Sequence, residues 1–139
     1  MVTQKKMRLP QYLDKISPET FDRLKAEIFR IMLLEKRYKE RGFTAARLAE
    51  MLSTNSRYVS IVLHSAYHAN YTSFVNRLRV DESMNILANP KYDELNVEDV
   101  SDMVGFANRQ SFYRSFCGIV GMTPREYRLE AYKARDGHE

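Results

Sequence analysis

Three observations predict an all-α fold of about seven helices. Apolar residues recur at intervals of three and four, as in the segment VEDVSDMV at 97–104, which is the period of a helix with one buried face. Residues that favour helix starts stand before these stretches, as Ser17 stands before Pro18. No run of β-branched residues alternates at period two, as a half-buried strand would.

Residues 1–17 are predicted to form a flexible basic arm. Lys5, Lys6 and Arg8 make the arm positive, and Pro10 prevents a continuous helix through it. A frayed terminus is the simpler interpretation, and the alternative is that the arm follows a phosphate backbone.

An extended first helix is predicted to open the first unit, which spans residues 18–70. Its apolar stripe includes Leu24 and Ile28, and the pattern continues to about Tyr38. Gly42 is expected to end this helix, because glycine adopts the left-handed conformation at little cost.

Two short helices separated by a polar break complete the first unit. Thr44 is placed to cap one of them, and Asn55 is placed to cap the other, which is predicted from Ser56 to about Ala66. The residues expected to face outward on this second helix are Arg57, Ser60, Ile61 and His64.

A longer linker helix is predicted within residues 71–90, and a second unit within residues 91–134. The linker helix is expected from Thr72 to about Ala88 and is about 25 Å long. Residues 135–139 are predicted to be a disordered tail.

The second unit is predicted to contain a helix, a tight glycine turn and another helix. Asn96 and Asp99 can cap the first helix, Gly105 can end it, and Asn108 can cap the next one. This order is the layout of a helix-turn-helix, and the first unit repeats it weakly. On the last helix of the pair, the predicted outer face is Arg109, Gln110, Tyr113 and Arg114.

Acidic residues are unevenly distributed along the chain. The net charge is only +4, but residues 51–80 and 103–125 contain no Asp or Glu, although the chain has 18 such residues. The intervening residues 81–102 contain seven of them. Two acid-free segments that coincide with the outer helices indicate surfaces suited to a polyanion, and the alternative is a chance fluctuation on a solvated surface.

The stretch VGFANRQSFYRSF and the GMTPREYR that follows it resemble the signature of the AraC/XylS family of bacterial transcription regulators. The resemblance extends from about Phe21 to Ala131. In the first unit and the linker helix it includes Leu48, Ala49, Tyr58 and Arg79. The matching positions in the second unit are Gly105, Phe106, Phe112, Arg114, Phe116, Gly121, Thr123, Pro124, Tyr127 and Arg128.

The resemblance implies that two recognition helices enter successive major-groove segments of double-stranded DNA. The positions implied to read bases are Arg57, Ser60, Ile61, Arg109, Gln110, Tyr113 and Arg114. The positions implied to contact phosphates are Asn55, Asn108, Thr123, Arg125 and Arg128. Such proteins frequently have Arg at the position of Ile61, so the first helix is expected to read a thymine methyl group or to contribute little.

Members of that family usually attach this module to a sensing or dimerisation domain. The chain is therefore expected to be either a single-module regulator or the output domain of a longer protein. RNA polymerase and a sensor domain or protein are the candidate partners besides DNA.

Other chemistry finds little support in the sequence. Cys117 is the only cysteine and is expected to be a small core residue, while His64 and His68 alone offer too few ligands for a metal. No catalytic motif appears, so we expect neither an enzyme nor a cofactor. With no signal peptide or membrane span, a cytoplasmic protein is expected. The alternative function is an all-α protein-interaction module, or an output fragment with weak DNA binding of its own.

Overall fold

A computed structural model of the chain describes residues 16–137, so most of the predicted arm lies outside the described residues. Between residues 16 and 137 the fold has helices and no β-strand, which confirms the predicted all-α class. The α-helices are α1 (Pro18–Phe29), α2 (Ala45–Met51), α3 (Ser56–Tyr67), α4 (Tyr71–Ala88), α5 (Val97–Val104), α6 (Arg109–Val120) and α7 (Pro124–Asp136). None of these helices combines the length and the apolar composition needed to cross a membrane.

The first helix does not continue to Tyr38 as predicted. α1 ends at Phe29, a π-helical turn follows over Arg30–Leu34, and Lys36 adopts the left-handed conformation with φ of 55°. A straight helix would carry Tyr38 about 13 Å beyond Phe29. The reversal at Lys36 instead returns Tyr38 to the core, where it is 3% exposed in the short 3₁₀ helix Arg37–Lys39.

α4 is shared by two separate hydrophobic cores. Its N-terminal half contributes Phe74 and Val75 to a core formed with α1, α2 and α3. Its C-terminal half contributes Val80 and Leu87 to a core formed with α5, α6 and α7. The helix predicted as the linker is therefore a structural part of both units.

The last helix extends further than predicted. α7 runs to Asp136, so the prediction of a disordered tail is wrong for residues 135 and 136, whereas residues 138–139 lie outside the described residues. Arg135 explains the extension, because its guanidinium is 3.3 Å from the carboxylate of Asp93 and lies 4.7 Å from the ring centroid of Tyr132.

Gly105 of the second unit lies against the backbone of the first unit. It ends α5 with φ of 101°, in the left-handed region predicted for it. A Cβ atom at this position would lie 2.6 Å from the carbonyl oxygen of Tyr38 and 2.8 Å from that of Lys39. Only glycine therefore fits both the backbone conformation and the space.

We predict that Gly105→Ala destabilises the protein more than Gly121→Ala. Gly121 also has a positive φ, 87°, but a Cβ there meets nothing within 4 Å. Gly121→Ala should therefore cost only the backbone strain of about 1–3 kcal/mol, while Gly105→Ala adds a clash with backbone oxygens. Urea unfolding measures both losses, and equal losses would contradict the close approach.

Candidate nucleic-acid interface

The outer face of α6 presents the side chains that the sequence singled out. Arg109, Gln110 and Arg114 are exposed, and Tyr113 is half-buried. The helix can present them because its opposite side is anchored by aromatic rings. Those rings belong to Phe112 and Phe116, which are both fully buried in the second core.

Arg109 is connected to that core through an aromatic ring. Its guanidinium carbon lies 4.9 Å from the ring centroid of Tyr113, within the range of a cation–π interaction. The Tyr113 ring in turn stands edge-on to Phe112, with the centroids 6.0 Å apart. The cation is thus held near the helix surface before any ligand arrives.

Three exposed arginines of α6 and α7 form no ion pair among the described residues. Within residues 16–137, no carboxylate forms an ion pair with Arg109, Arg114 or Arg125, although all three are exposed. Several other arginines are paired with carboxylates, in Arg23–Glu27, Arg41–Asp102, Arg47–Glu50 and Arg135–Asp93. The acid-free sequence around α6 therefore leaves three cations available for an external anion.

The start of α6 is suited to an anion as well. Asn108 accepts a hydrogen bond from the amide of Ser111 at 2.8 Å, as predicted for a cap, and no acidic residue occupies the first turn. α5 is different, because Asp99 in its first turn accepts from the Asn96 amide at 3.1 Å. The positive end of the α5 dipole thus meets the protein's own carboxylate, whereas that of α6 does not.

The start of α3 resembles the start of α6, but the outer face of α3 is smaller than predicted. Asn55 accepts from the Tyr58 amide at 2.9 Å, and the first turn again lacks acidic residues. Arg57 and Ser60 are exposed. The expectation that Ile61 faces outward is wrong, since it is only 2% exposed. α1, α2 and α4 all pack against α3, so its buried arc is wider than one apolar stripe.

The start of α7 retains few free donors for a phosphate. Thr123 accepts from the Glu126 amide at 3.1 Å, and the Glu126 carboxylate accepts from the Thr123 amide at 2.8 Å. Pro124 has no amide hydrogen. Of these first positions only Arg125 keeps an amide for an external anion, and the carboxylate nearby opposes one.

Arg128, which the resemblance implies to contact a phosphate, is hydrogen-bonded within the protein. Its two terminal nitrogens donate to the carbonyl oxygens of Leu95 and Tyr92, in the loop that precedes α5. The remaining nitrogen, Nε, is buried without a hydrogen-bond partner among the described residues. The guanidinium thus ties α7 to this loop and is not directed toward a ligand.

Cys117 belongs to the outer face and was assigned wrongly to the core. It is exposed and follows Tyr113 by four residues and Arg114 by three, so it continues the same side of α6. Helical spacing could have located it, but the aromatic residues beside it in the sequence suggested burial. Over the described residues no cluster of His, Cys, Asp and Glu side chains is suited to a metal ion.

A family model for a helix-turn-helix domain matches residues 48–130, which is more than half of the chain. The chain belongs to this AraC-type helix-turn-helix family. The resemblance to AraC/XylS regulators is thereby confirmed, and members of this family are DNA-binding transcription regulators.

One curated relative of this AraC-type chain is a regulatory protein. The chain is 24% identical over 83 residues to the Msm operon regulatory protein of Streptococcus mutans serotype c (strain ATCC 700610 / UA159), a match covering 60% of this chain and 29% of that protein. The chain therefore spans less than a third of that relative's length.

Two solved structures share the fold. The DNA-binding domain of AdpA, a global transcriptional factor solved with a target DNA, has a TM-score of 0.70 at 22% identity and covers 83% of this chain and 97% of its own. The C-terminal domain of the response regulator AraT from Geobacillus stearothermophilus has a TM-score of 0.65 at 20% identity, covering 84% and 88%. At these identities the likeness establishes the fold alone.

We predict that Arg128→Ala lowers the free energy of unfolding by about 1–3 kcal/mol, because two hydrogen bonds from a charged donor to backbone oxygens are lost. Arg125→Ala is the matched control, since the exposed Arg125 makes no such bonds and should change stability by less than about 0.5 kcal/mol. Chemical denaturation followed by circular dichroism measures both. Similar small effects of the two changes would show that Arg128 does not stabilise the loop.

Proposed function

We propose that the chain regulates transcription by sequence-specific binding to double-stranded DNA, with α3 and α6 in successive major-groove segments about 34 Å apart. The observation that carries this proposal is the outer face of α6. Its exposed arginines have no carboxylate partner among the described residues, and its helix start lacks an acidic residue. Both features suit a helix that docks end-first against a polyanion.

In this proposal α6 is the main reader of sequence. Arg109 and Arg114 can each make a bidentate contact to guanine, and Gln110 can make one to adenine. Each such contact is worth about 1–3 kcal/mol of discrimination against a wrong base. Tyr113 supports Arg109 through the cation–π contact of its ring, and its exposed part can contact a base.

α3 contributes fewer base contacts in the same scheme. Arg57 and Ser60 remain exposed for them, whereas the buried Ile61 is removed from the set of readers. Serine reaches less far than arginine and can pair with several bases, so its contact discriminates weakly. The first unit therefore adds affinity and register more than specificity.

Phosphate contacts follow from the helix starts. The amides at the beginning of α3 and α6, beyond the caps Asn55 and Asn108, are placed to receive phosphate oxygens. Arg125 adds an exposed cation at the start of α7. Arg128 takes no part because its donors are engaged with backbone oxygens, and Thr123 contributes little because its amide is already bonded.

Protein partners are proposed besides DNA. The protein would act in the cytoplasm, where bacterial DNA is found, by binding alone and without catalysis or a cofactor. RNA polymerase or a sensor domain or protein would transmit the regulatory signal. The surface that favours a protein partner is the end of the first helix, where Phe29 is 46% exposed and Leu34 is 67% exposed.

We predict salt-sensitive duplex binding that Asn108→Asp weakens. Aspartate caps a helix as well as asparagine, so the free energy of unfolding should be preserved. The added negative charge at the start of α6 should repel phosphate and weaken binding about tenfold, equivalent to ~1.4 kcal/mol. Fluorescence anisotropy at several salt concentrations measures both the loss and the linear fall of log affinity with log salt.

The controls for this titration separate the two candidate functions. Asn96→Asp makes the same change at the start of α5, which already carries acidic residues, and should leave DNA affinity unchanged. If the unaltered chain had no duplex affinity even at low salt, the protein-interaction module would be favoured instead.

We predict that Arg109→Ala relaxes the preference at one base pair, by about 1–3 kcal/mol of lost discrimination. Arg125→Ala should weaken binding about equally on all sequences, since it is proposed to contact phosphate. Affinities for a set of single-base operator variants measure the difference. A uniform loss with Arg109→Ala would identify Arg109 as a phosphate contact.

A further inference from the structure

A short segment of the first unit lies against the second unit. Residues 36–43, which we call the strap, connect the π-helical turn after α1 to α2. Two strap side chains, Tyr38 and Phe43, are buried in the first core. The strap backbone faces the other way, because its carbonyl oxygens at Tyr38 and Lys39 are those that enclose Gly105.

Arg79 joins the strap to the middle of α4 and to the second core. Its Nε donates to the Tyr38 carbonyl oxygen at 2.9 Å, and its guanidinium carbon lies 5.7 Å from the ring centroid of Phe106. Burial lowers the pKa of this guanidinium, as expected for a cation partly removed from water. One side chain thus contacts the strap, α4 and the turn that precedes α6.

Ion pairs also join the strap to α4 and to α5. Glu82 of α4 lies 3.1 Å from Lys36 and 2.9 Å from Lys39, and its side chain is only 14% exposed. Burial acts to raise the pKa of Glu82, but the hydrogen bonds from the two lysines outweigh it and the pKa is lowered. Arg41 of the strap reaches Asp102 of α5 at 2.6 Å.

The strap meets α4 between the segments that the two cores bury, where Leu78 is partly buried against the first core. Val75 is the last residue that α4 buries in the first core, and Val80 is the first that it buries in the second. Between them no residue is fully buried. A helix can bend gently along its length, so two units attached to its two halves need a second, off-axis connection to hold a fixed angle.

We propose that the strap is this second connection, and that it sets the separation of α3 and α6 and hence the spacing between the two DNA half-sites that the protein accepts. Arg79, Gly105 and Glu82 are positioning residues in this scheme and touch no base. The proposal rests on the proposed function, because it concerns how two reading helices are held apart.

The affinity of a protein with two reading helices depends strongly on the spacing between the two half-sites. One extra base pair moves the second half-site by about 3.4 Å along the duplex and rotates it by about 35° around the axis. A rigid pair of units cannot follow this displacement, whereas a pair that bends at the middle of α4 can follow part of it. Loss of the strap contact should therefore broaden the accepted spacing more than it weakens binding at the best spacing.

The test uses operators that differ only in the spacer between half-sites. Binding sites are first selected from a random duplex pool with the unaltered chain, and the best site is then shortened or lengthened by one base pair. Dissociation constants are measured for Arg79→Met, which keeps a long side chain but removes the donor and the charge. Arg77→Met is the matched control, since it makes the same change on an exposed residue two positions earlier.

A one-base-pair change in the spacer should lower the affinity of the unaltered chain. We expect this loss of affinity to be smaller by about threefold or more in Arg79→Met, and to equal that of the unaltered chain in Arg77→Met. Glu82→Gln is a second, conservative variant that should show the same broadening if Arg79→Met does not fold. An unchanged penalty in folded variants would overturn the role of the strap, and so would an unaltered chain indifferent to spacing. An unchanged penalty in folded variants would leave the proposed function standing. A chain indifferent to spacing would leave sequence-specific binding standing but would contradict the placement of both α3 and α6 in the groove, and a chain that selects no duplex would remove the proposed function itself.

Discussion

The close approach of the Gly105 turn to the Tyr38 and Lys39 carbonyl oxygens is the constraint on which the structure depends most. Each unit has its own core, and among residues 16–137 the second contains nine buried apolar residues. A core of that size provides little stability alone. Sharing α4 and placing the turn of one unit on the backbone of the other joins two small cores into one folded body. The helix-turn-helix geometry of the second unit thus depends on a glycine that permits backbone-to-backbone contact.

The uneven charge along the sequence has a physical explanation in this fold. Several acidic residues of the segment 81–102 engage cations away from the outer faces of α3 and α6. Glu82 binds the strap lysines, Asp93 pairs with Arg135, and Asp102 pairs with Arg41. The acidic segment therefore consolidates the scaffold, while the acid-free segments supply the proposed DNA-binding surface. The uneven distribution of acidic residues thus separates the ion-paired surface of the scaffold from the proposed DNA-binding surface.

Features governed by local interactions were predictable from the sequence. The caps at Thr44, Asn55, Asn96 and Asn108 form as expected, because each depends on a side chain and an amide three residues away. The outer face of α6 was also predictable, since its periodicity separates Phe112 and Phe116 from the arginines. Which of these residues contact bases remains a proposal.

Features governed by distant parts of the chain were not predictable. Ile61 is buried because three helices surround α3, and Arg128 is engaged because the loop before α5 approaches α7. The reversal at Lys36 returns Tyr38 to a core, and many other residues of this core lie far away in the sequence. The periodicity of a single helix carries no information about how many neighbours that helix has, so it does not reveal such contacts.

The proposed DNA-binding surface combines the outer faces of α3 and α6. It can be mapped by amide chemical-shift changes while a selected duplex is titrated into the isotope-labelled chain. We expect the largest changes at the starts of α3 and α6, around Arg57 and Arg109, and small changes over Arg30–Leu34. Changes concentrated at Phe29 and Leu34, with little effect on α6, would contradict it.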